Sequence, residues 1–156
     1  MASDTFEPRP LVTLHSRSDE ETRAIGRRIG AGLRAGDCLA LQGQMGAGKT
    51  VIAQGIVAGA GGGEDVRSPT FLLHALYPGR VPVHHLDLYR LDPGVELRSL
   101  GLEEALLEGG VIVEWPERAG GDWFTGAIKL EIASATEREI HLQLRHGLGG
   151  DAQVGH

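Results

Sequence analysis

One cysteine, two lysines and no long apolar run set the first limits on this 156-residue chain. The single cysteine, Cys38, excludes an internal disulfide and fits a reducing compartment. It opens an apolar run, so inert packing is its expected role. No stretch approaches the roughly 18 apolar residues of a membrane-spanning helix. No signal peptide is visible either, and the expected location is cytoplasmic. Cations are scarce and scattered: 15 Lys and Arg stand against 21 Asp and Glu, a formal net charge of −6. Neutralising nucleic-acid phosphates takes clustered Lys and Arg, so bulk electrostatic binding of RNA is excluded. Any RNA in its biology would be held by a partner. The length suits one domain with a real core. A hydrophobic fraction of 41% fits a soluble globular protein.

The scarcity of lysine makes the place of Lys49 informative. Residues 43–50 read Gly-Gln-Met-Gly-Ala-Gly-Lys-Thr and fill G-x-x-x-x-G-K-[ST] at every fixed position. Glycine is abundant, 24 of 156 residues, but the only lysines are Lys49 and Lys129. A chance match is expected in roughly a few such chains per thousand. The pattern describes a phosphate-binding loop. Its glycines let successive N–H groups turn into one concavity. A helix that starts there adds free amides and the positive end of its dipole. Lys49 supplies a compact positive charge to the β- and γ-phosphates, and Thr50 a hydroxyl for Mg²⁺. The context agrees. Cys38 to Leu41 is an apolar run of strand length, and a helix-compatible stretch from Thr50 to Ala60 stops at Gly61-Gly62-Gly63.

Elsewhere the pattern alternates between helix and strand. Residues 1–10 are polar and expected to be loose, 11–146 form a single domain, and the Gly-rich tail 147–156 is expected to be disordered. Leu11 to His15 reads as an edge strand. Ser18 and Glu21 form a capping box for a helix over roughly 19–35, with Gly36 as its C-cap. Strands are expected at Phe71–Leu73, Val81–Leu88 and Val111–Val113. A helical region runs from Pro93-Gly94 to about Leu107, with a possible break at Gly101 and an end at Gly109-Gly110. Ile128–Ala133 and Ile140–Leu144 alternate as a terminal hairpin. This alternation predicts an α/β fold: a P-loop NTPase-like three-layer sandwich with a mixed, partly parallel central sheet and a C-terminal antiparallel hairpin.

In such sheets ligands sit beyond the carboxyl ends of the strands. Two apolar strands end there in acids, Asp87 and Glu114. If both run parallel to Cys38–Gln42, they emerge on the rim that carries the glycine loop. A phosphate-bound Mg²⁺ takes one or two carboxylates, and hydrolysis needs a group to orient or deprotonate water. Ser68-Pro69-Thr70 is a turn whose hydroxyls could reach the γ-phosphate, although spacing alone favours a plain turn. Trp115 reads as core or as a lid over the site. His84 and His85 point to opposite faces of a strand and read as packing or hydrogen-bonding residues. Arg90 and Arg118 suit ordinary surface ion pairs.

Taken together, Gly43–Thr50, Ser68-Pro-Thr-Phe71, His85-Leu-Asp-Leu-Tyr-Arg90 and Val113-Glu-Trp-Pro-Glu117 resemble, in order and spacing, the bacterial TsaE (YjeE) family. That family is the small ATPase subunit for threonylcarbamoyladenosine formation in tRNA. The resemblance runs from about Ser18 to Trp115. It implies ATP and Mg²⁺ as cofactors, with Gly46, Ala47, Gly48, Lys49, Thr50 and Val51 around the phosphates. Thr50, Asp87 and Glu114 would serve the metal. Asp87, Glu114 and Lys49 would be catalytic, with Glu114 the best candidate for activating water. Thr70 would be a switch-like hydroxyl, and Thr22 would lie near the base. The implied partners are the two transferase subunits TsaD and TsaB, which would hold the tRNA; ATP turnover would reset that complex. Many members carry a second hydroxyl where Val51 stands, which would remove one α-phosphate hydrogen bond here.

Three other classes share the loop. A small-molecule kinase needs an acceptor pocket and usually an arginine-rich lid, and no arginine cluster is present. A GTPase switch needs an Asn-Lys-x-Asp signature, which is absent. A nucleotide-binding module without turnover would keep the same Lys49 and Thr50.

Overall fold

Ser18 starts the first helix as a capping box should. Its Oγ accepts the Glu21 N–H at 3.0 Å, and Glu21 Oε1 accepts the Arg17 N–H at 2.7 Å. The computed structural model of the protein describes residues 11–63, 74–89, 95–96, 101–120 and 122–144. In chain order these form β1 (Val12–Ser16), α1 (Asp19–Ala31), β2 (Cys38–Gly43), α2 (Lys49–Gly59), β3 (His74–Tyr77), β4 (Val83–Asp87) and β5 (Val95–Glu96). There follow α3 (Leu102–Glu108), β6 (Gly110–Glu114), a 3₁₀ turn at Pro116–Arg118, β7 (Ala119–Gly120), β8 (Gly126–Ile132) and β9 (Arg138–Leu144). The expectations for 1–10, Ser68–Thr70, Phe71–Leu73, Arg90 and 147–156 lie outside the described residues.

Seven strands make one sheet in the order β1-β9-β8-β2-β6-β4-β3. Its centre, β8-β2-β6-β4, is parallel. Both margins are antiparallel: β3 on β4, and the β8–β9 hairpin with β1 added as edge strand. Strand alternation sorts the core into two halves. Leu39, Leu41 and Ile112 face Ile52, Ile56 and Ile29 of the two long helices. Cys38, Val111, Val113 and Leu86 face Leu102 and Ala105 of α3. The result is the expected three-layer α/β sandwich. Cys38 is fully buried, and burial, helped by Asp37, pushes its thiol up to about 12, so it packs as an inert core residue.

α1 and α2 lie unusually close. Gly26 and Gly30 face Gly55 and Gly59, and a Cβ at Gly30 or Gly59 would overlap the Ile56 or Arg27 carbonyl of the other helix. This contact brings the first turn of α1 beside the start of α2.

Two boundaries differ from expectation. α1 ends at Gly32 rather than Gly36, because the Gly32 N–H turns back to Ile29 O at 3.2 Å and Leu33 then drops into the core. Gly36, at φ 98°, instead turns the chain into β2. Within the stretch expected as helix from Pro93, the described helix begins at Leu102. Gly101, at φ 85°, is its left-handed N-cap, and Val95–Glu96 upstream is a strand paired in parallel with Ala119–Gly120.

Candidate active site

The glycine loop joins the carboxyl end of β2 to the amino end of α2. Gly46 and Gly48 take φ of 84° and 108°, a region costly for residues with a Cβ. The Ala47 N–H closes a turn on Gln44 O at 3.0 Å, and the helical ladder begins with Ile52 N–H to Gly48 O at 2.9 Å. Among the described residues no side chain caps α2. Its opening amides therefore lie at the loop, as an anion site requires. Lys49, Thr50 and Val51 are its first three residues.

The loop is held from outside by a residue that no local pattern singles out. Arg138, at the start of β9, donates from Nε to Ala47 O and from Nη2 to Gly46 O, each at 3.2 Å. Its Nη1 donates to Ser134 O and Glu137 O at 3.0 Å. A peptide's C=O and N–H point in opposite directions. Fixing the Ala47 carbonyl therefore aims the Gly48 amide away from Arg138.

The acids arrive from the neighbouring strands. Leu41 of β2, Glu114 of β6 and Asp87 of β4 form one register row at the strands' carboxyl ends. Both acids thus reach the loop's rim, as expected of parallel strands. Glu114 Oε1 lies 3.9 Å from Lys49 Nζ, and Oε2 lies 2.6 Å from His85 Nε2. Asp87 Oδ1 accepts the Tyr89 N–H at 2.9 Å. Burial raises the Asp87 carboxyl above its ordinary value and Glu114 pushes the same way, against the Tyr89 amide, His85 and Lys49.

Trp115 is both packing and site. It touches the α3-side core, and its ring lies 5.1 Å from Lys49 Nζ. Its φ of 57° makes it the only left-handed non-glycine among the described residues. Such strain in a bulky residue marks a special position. Tyr89 tilts against Trp115 at 4.9 Å, and Arg118 lies over Tyr89 at 5.9 Å.

Thr22 is buried, with its Oγ1 2.7 Å from Ser16 Oγ. A Cβ on Gly48 would stand 3.8 Å from the Thr22 methyl, so Thr22 borders the loop. Thr70 lies outside the described residues. His84 and His85 do point to opposite faces: His84 Nδ1 meets His74 Nε2 at 2.8 Å, away from the loop. His85, two residues before Asp87, shares its face, and the pairing of β4 with β6 brings it to Glu114.

The family model described as "Threonylcarbamoyl adenosine biosynthesis protein TsaE" matches residues 16–141. The chain belongs to the TsaE family. The tRNA threonylcarbamoyladenosine biosynthesis protein TsaE of Treponema pallidum is 37% identical over 128 residues, 80% of this chain and 95% of that one. The TsaE of a Nostoc species is 43% identical over 124 residues, 76% of each chain. Among solved structures, Bacillus subtilis YdiB superposes with a TM-score of 0.69 at 29% identity, covering 88% of this chain and 87% of its own. The family places the protein in tRNA threonylcarbamoyladenosine biosynthesis and its fold among the P-loop NTPase-like proteins. No described helix is long and apolar enough to cross a membrane.

Proposed function

We propose that this TsaE-family protein is the Mg²⁺-dependent ATP-binding and ATP-hydrolysing subunit of the threonylcarbamoyladenosine system, acting in the cytoplasm. Its turnover resets a transferase complex of TsaD and TsaB, which holds the tRNA. The observation that carries this reading is the meeting of Lys49 and Glu114 at 3.9 Å, beside Asp87, where the glycine loop opens α2.

The amides from Gly46 to Val51 bind the phosphates, and Lys49 offsets charge on the β- and γ-phosphoryl oxygens. Thr22 borders the loop on the nucleotide side, and Thr70 acts as a switch-like hydroxyl. The Thr50 hydroxyl with Asp87 and Glu114 is a set of hard oxygen donors that fits Mg²⁺. Held by these residues, the ion would offset the negative charge of the phosphates. Glu114 Oε1 orients the attacking water and takes its proton; ADP and phosphate leave. A −6 chain suits a subunit that meets tRNA only through partners.

The test is phosphate release from ATP by the chain alone and with TsaD and TsaB. ATP-specific release, stimulated by the partners, is expected. Transfer to a small acceptor would replace the reading by a kinase, and GTP preference by a switch. No release even with partners would reduce the protein to a binding module.

A further inference from the structure

Glu114 is almost fully enclosed, with 3% of its surface exposed. A buried carboxylate is costly unless its oxygens are partnered. The two oxygens have different neighbours. Oε1 faces the flexible Lys49 ammonium across 3.9 Å. Oε2 makes a short 2.6 Å contact with the Nε2 of His85, a side chain 1% exposed. A carboxylate only accepts, so the hydrogen lies on the imidazole Nε2. The other ring nitrogen, Nδ1, is buried with no hydrogen-bond partner among the described residues. With the hydrogen on Nε2, a bare lone pair at Nδ1 costs less to bury than an orphaned N–H.

The sheet explains the arrangement. His85 pairs in register with Ile112, and Asp87 with Glu114. Both β4 side chains fall on the face that carries Glu114. Asp87 sets a like charge directly opposite, which destabilises the ionised pair and offers Glu114 no hydrogen bond. His85 supplies the directional hydrogen bond that Asp87 cannot.

We infer that His85 is the positioning residue for Glu114: it fixes Oε2 and thereby leaves Oε1 as the oxygen turned to the reacting water. This rests on the role proposed for Glu114. His85 itself touches no reacting atom. Partners of this kind typically change activity 10- to 100-fold when removed.

The test uses the full chain with its partner subunits and ATP. Glu114→Ala is measured first; if it hydrolyses ATP at the wild-type rate, the role of Glu114 falls and this inference with it. With Glu114→Ala impaired, His85→Leu is expected to lower kcat about 10- to 100-fold while ATP affinity by calorimetry changes less than about twofold. His85→Gln, whose amide N–H stands near the Nε2 position, is expected to recover most of that loss, and the shorter His85→Asn is not. In the Glu114→Ala background, His85→Leu should cause no further loss. Losses that multiply in the double variant, or a His85→Leu kcat near wild type, would overturn the inference and leave the Glu114 role standing. If His85→Leu does not fold, equal kcat in His85→Gln and His85→Asn overturns it instead.

Discussion

Asp87 and Glu114 are register partners on the parallel strands β4 and β6, so two carboxyl groups leave the sheet side by side. Burial, then the Glu114 charge, raises the Asp87 carboxyl above its ordinary value of 3.8. The folded protein therefore binds that proton more tightly than the unfolded chain, and ionised Asp87 opposes folding. This stabilising term is complete below pH 3.8 and is lost as the pH rises through the raised value. Asp87→Asn in metal-free protein is expected to raise Tm at pH 7 and to lose that advantage as the pH falls below 3.8. A Tm at pH 7 no higher than wild type would contradict it.

Lys49 and Glu114 are close, but their roles should separate by measurement. Lys49 is one of two lysines, and Lys129 lies on β8, paired with Glu131 at 3.5 Å. Lys49→Ala is expected to abolish ATP binding by calorimetry. Glu114→Ala is expected to keep binding and to lose turnover about 100-fold or more, the usual scale of a general base. Equal loss of affinity in both variants would merge the two roles.

The legible parts of this molecule are local in sequence. The loop from Gly43 to Thr50 needs only eight adjacent residues, and Val111–Glu114 announces a covered strand by an unbroken apolar run ending in an acid. Parallel pairing then brought Asp87 to Glu114 without any further signal. Reading failed where the deciding partner is remote. Arg138 reaches Ala47 across 91 positions, through a hairpin whose register no local pattern reveals. Between Pro93 and the break expected at Gly101 the reading failed for the same reason: Val95–Glu96 is a strand set by its remote partner Ala119–Gly120. His85 was legible as Asp87's face-mate, but not as Glu114's partner, because strand order decides that.

Arg138 is expected to act on nucleotide affinity through the loop's backbone. Its fork spans the Gly46 and Ala47 carbonyls on one side and the Ser134 and Glu137 carbonyls on the other. Arg138→Ala should weaken ATP binding about tenfold, a loss of about 1.4 kcal/mol. Arg138→Lys should recover little, since a point charge cannot span both carbonyls. Calorimetry with both variants checks this; full recovery by lysine would show that charge, not the fork, is what matters.

The close contact of α1 and α2 leads to a second effect at the same site, from a distance. Gly30 and Gly59 lie on the facing surfaces, where a methyl group would meet a backbone carbonyl of the partner helix. Backbone cannot rotate away as a side chain can, so the helices must separate. Gly59→Ala is expected to cost about 1–3 kcal/mol, the range for overpacked cores. The denaturant midpoint should fall with an unchanged m-value. The same separation would draw Thr22 away from Gly48, since both sit at the ends of these helices. ATP affinity should therefore fall with stability in Gly59→Ala. It should stay at wild type in Leu107→Ala, on the exposed side of α3. A Gly59→Ala protein as stable as wild type would mean that the helices can part without strain.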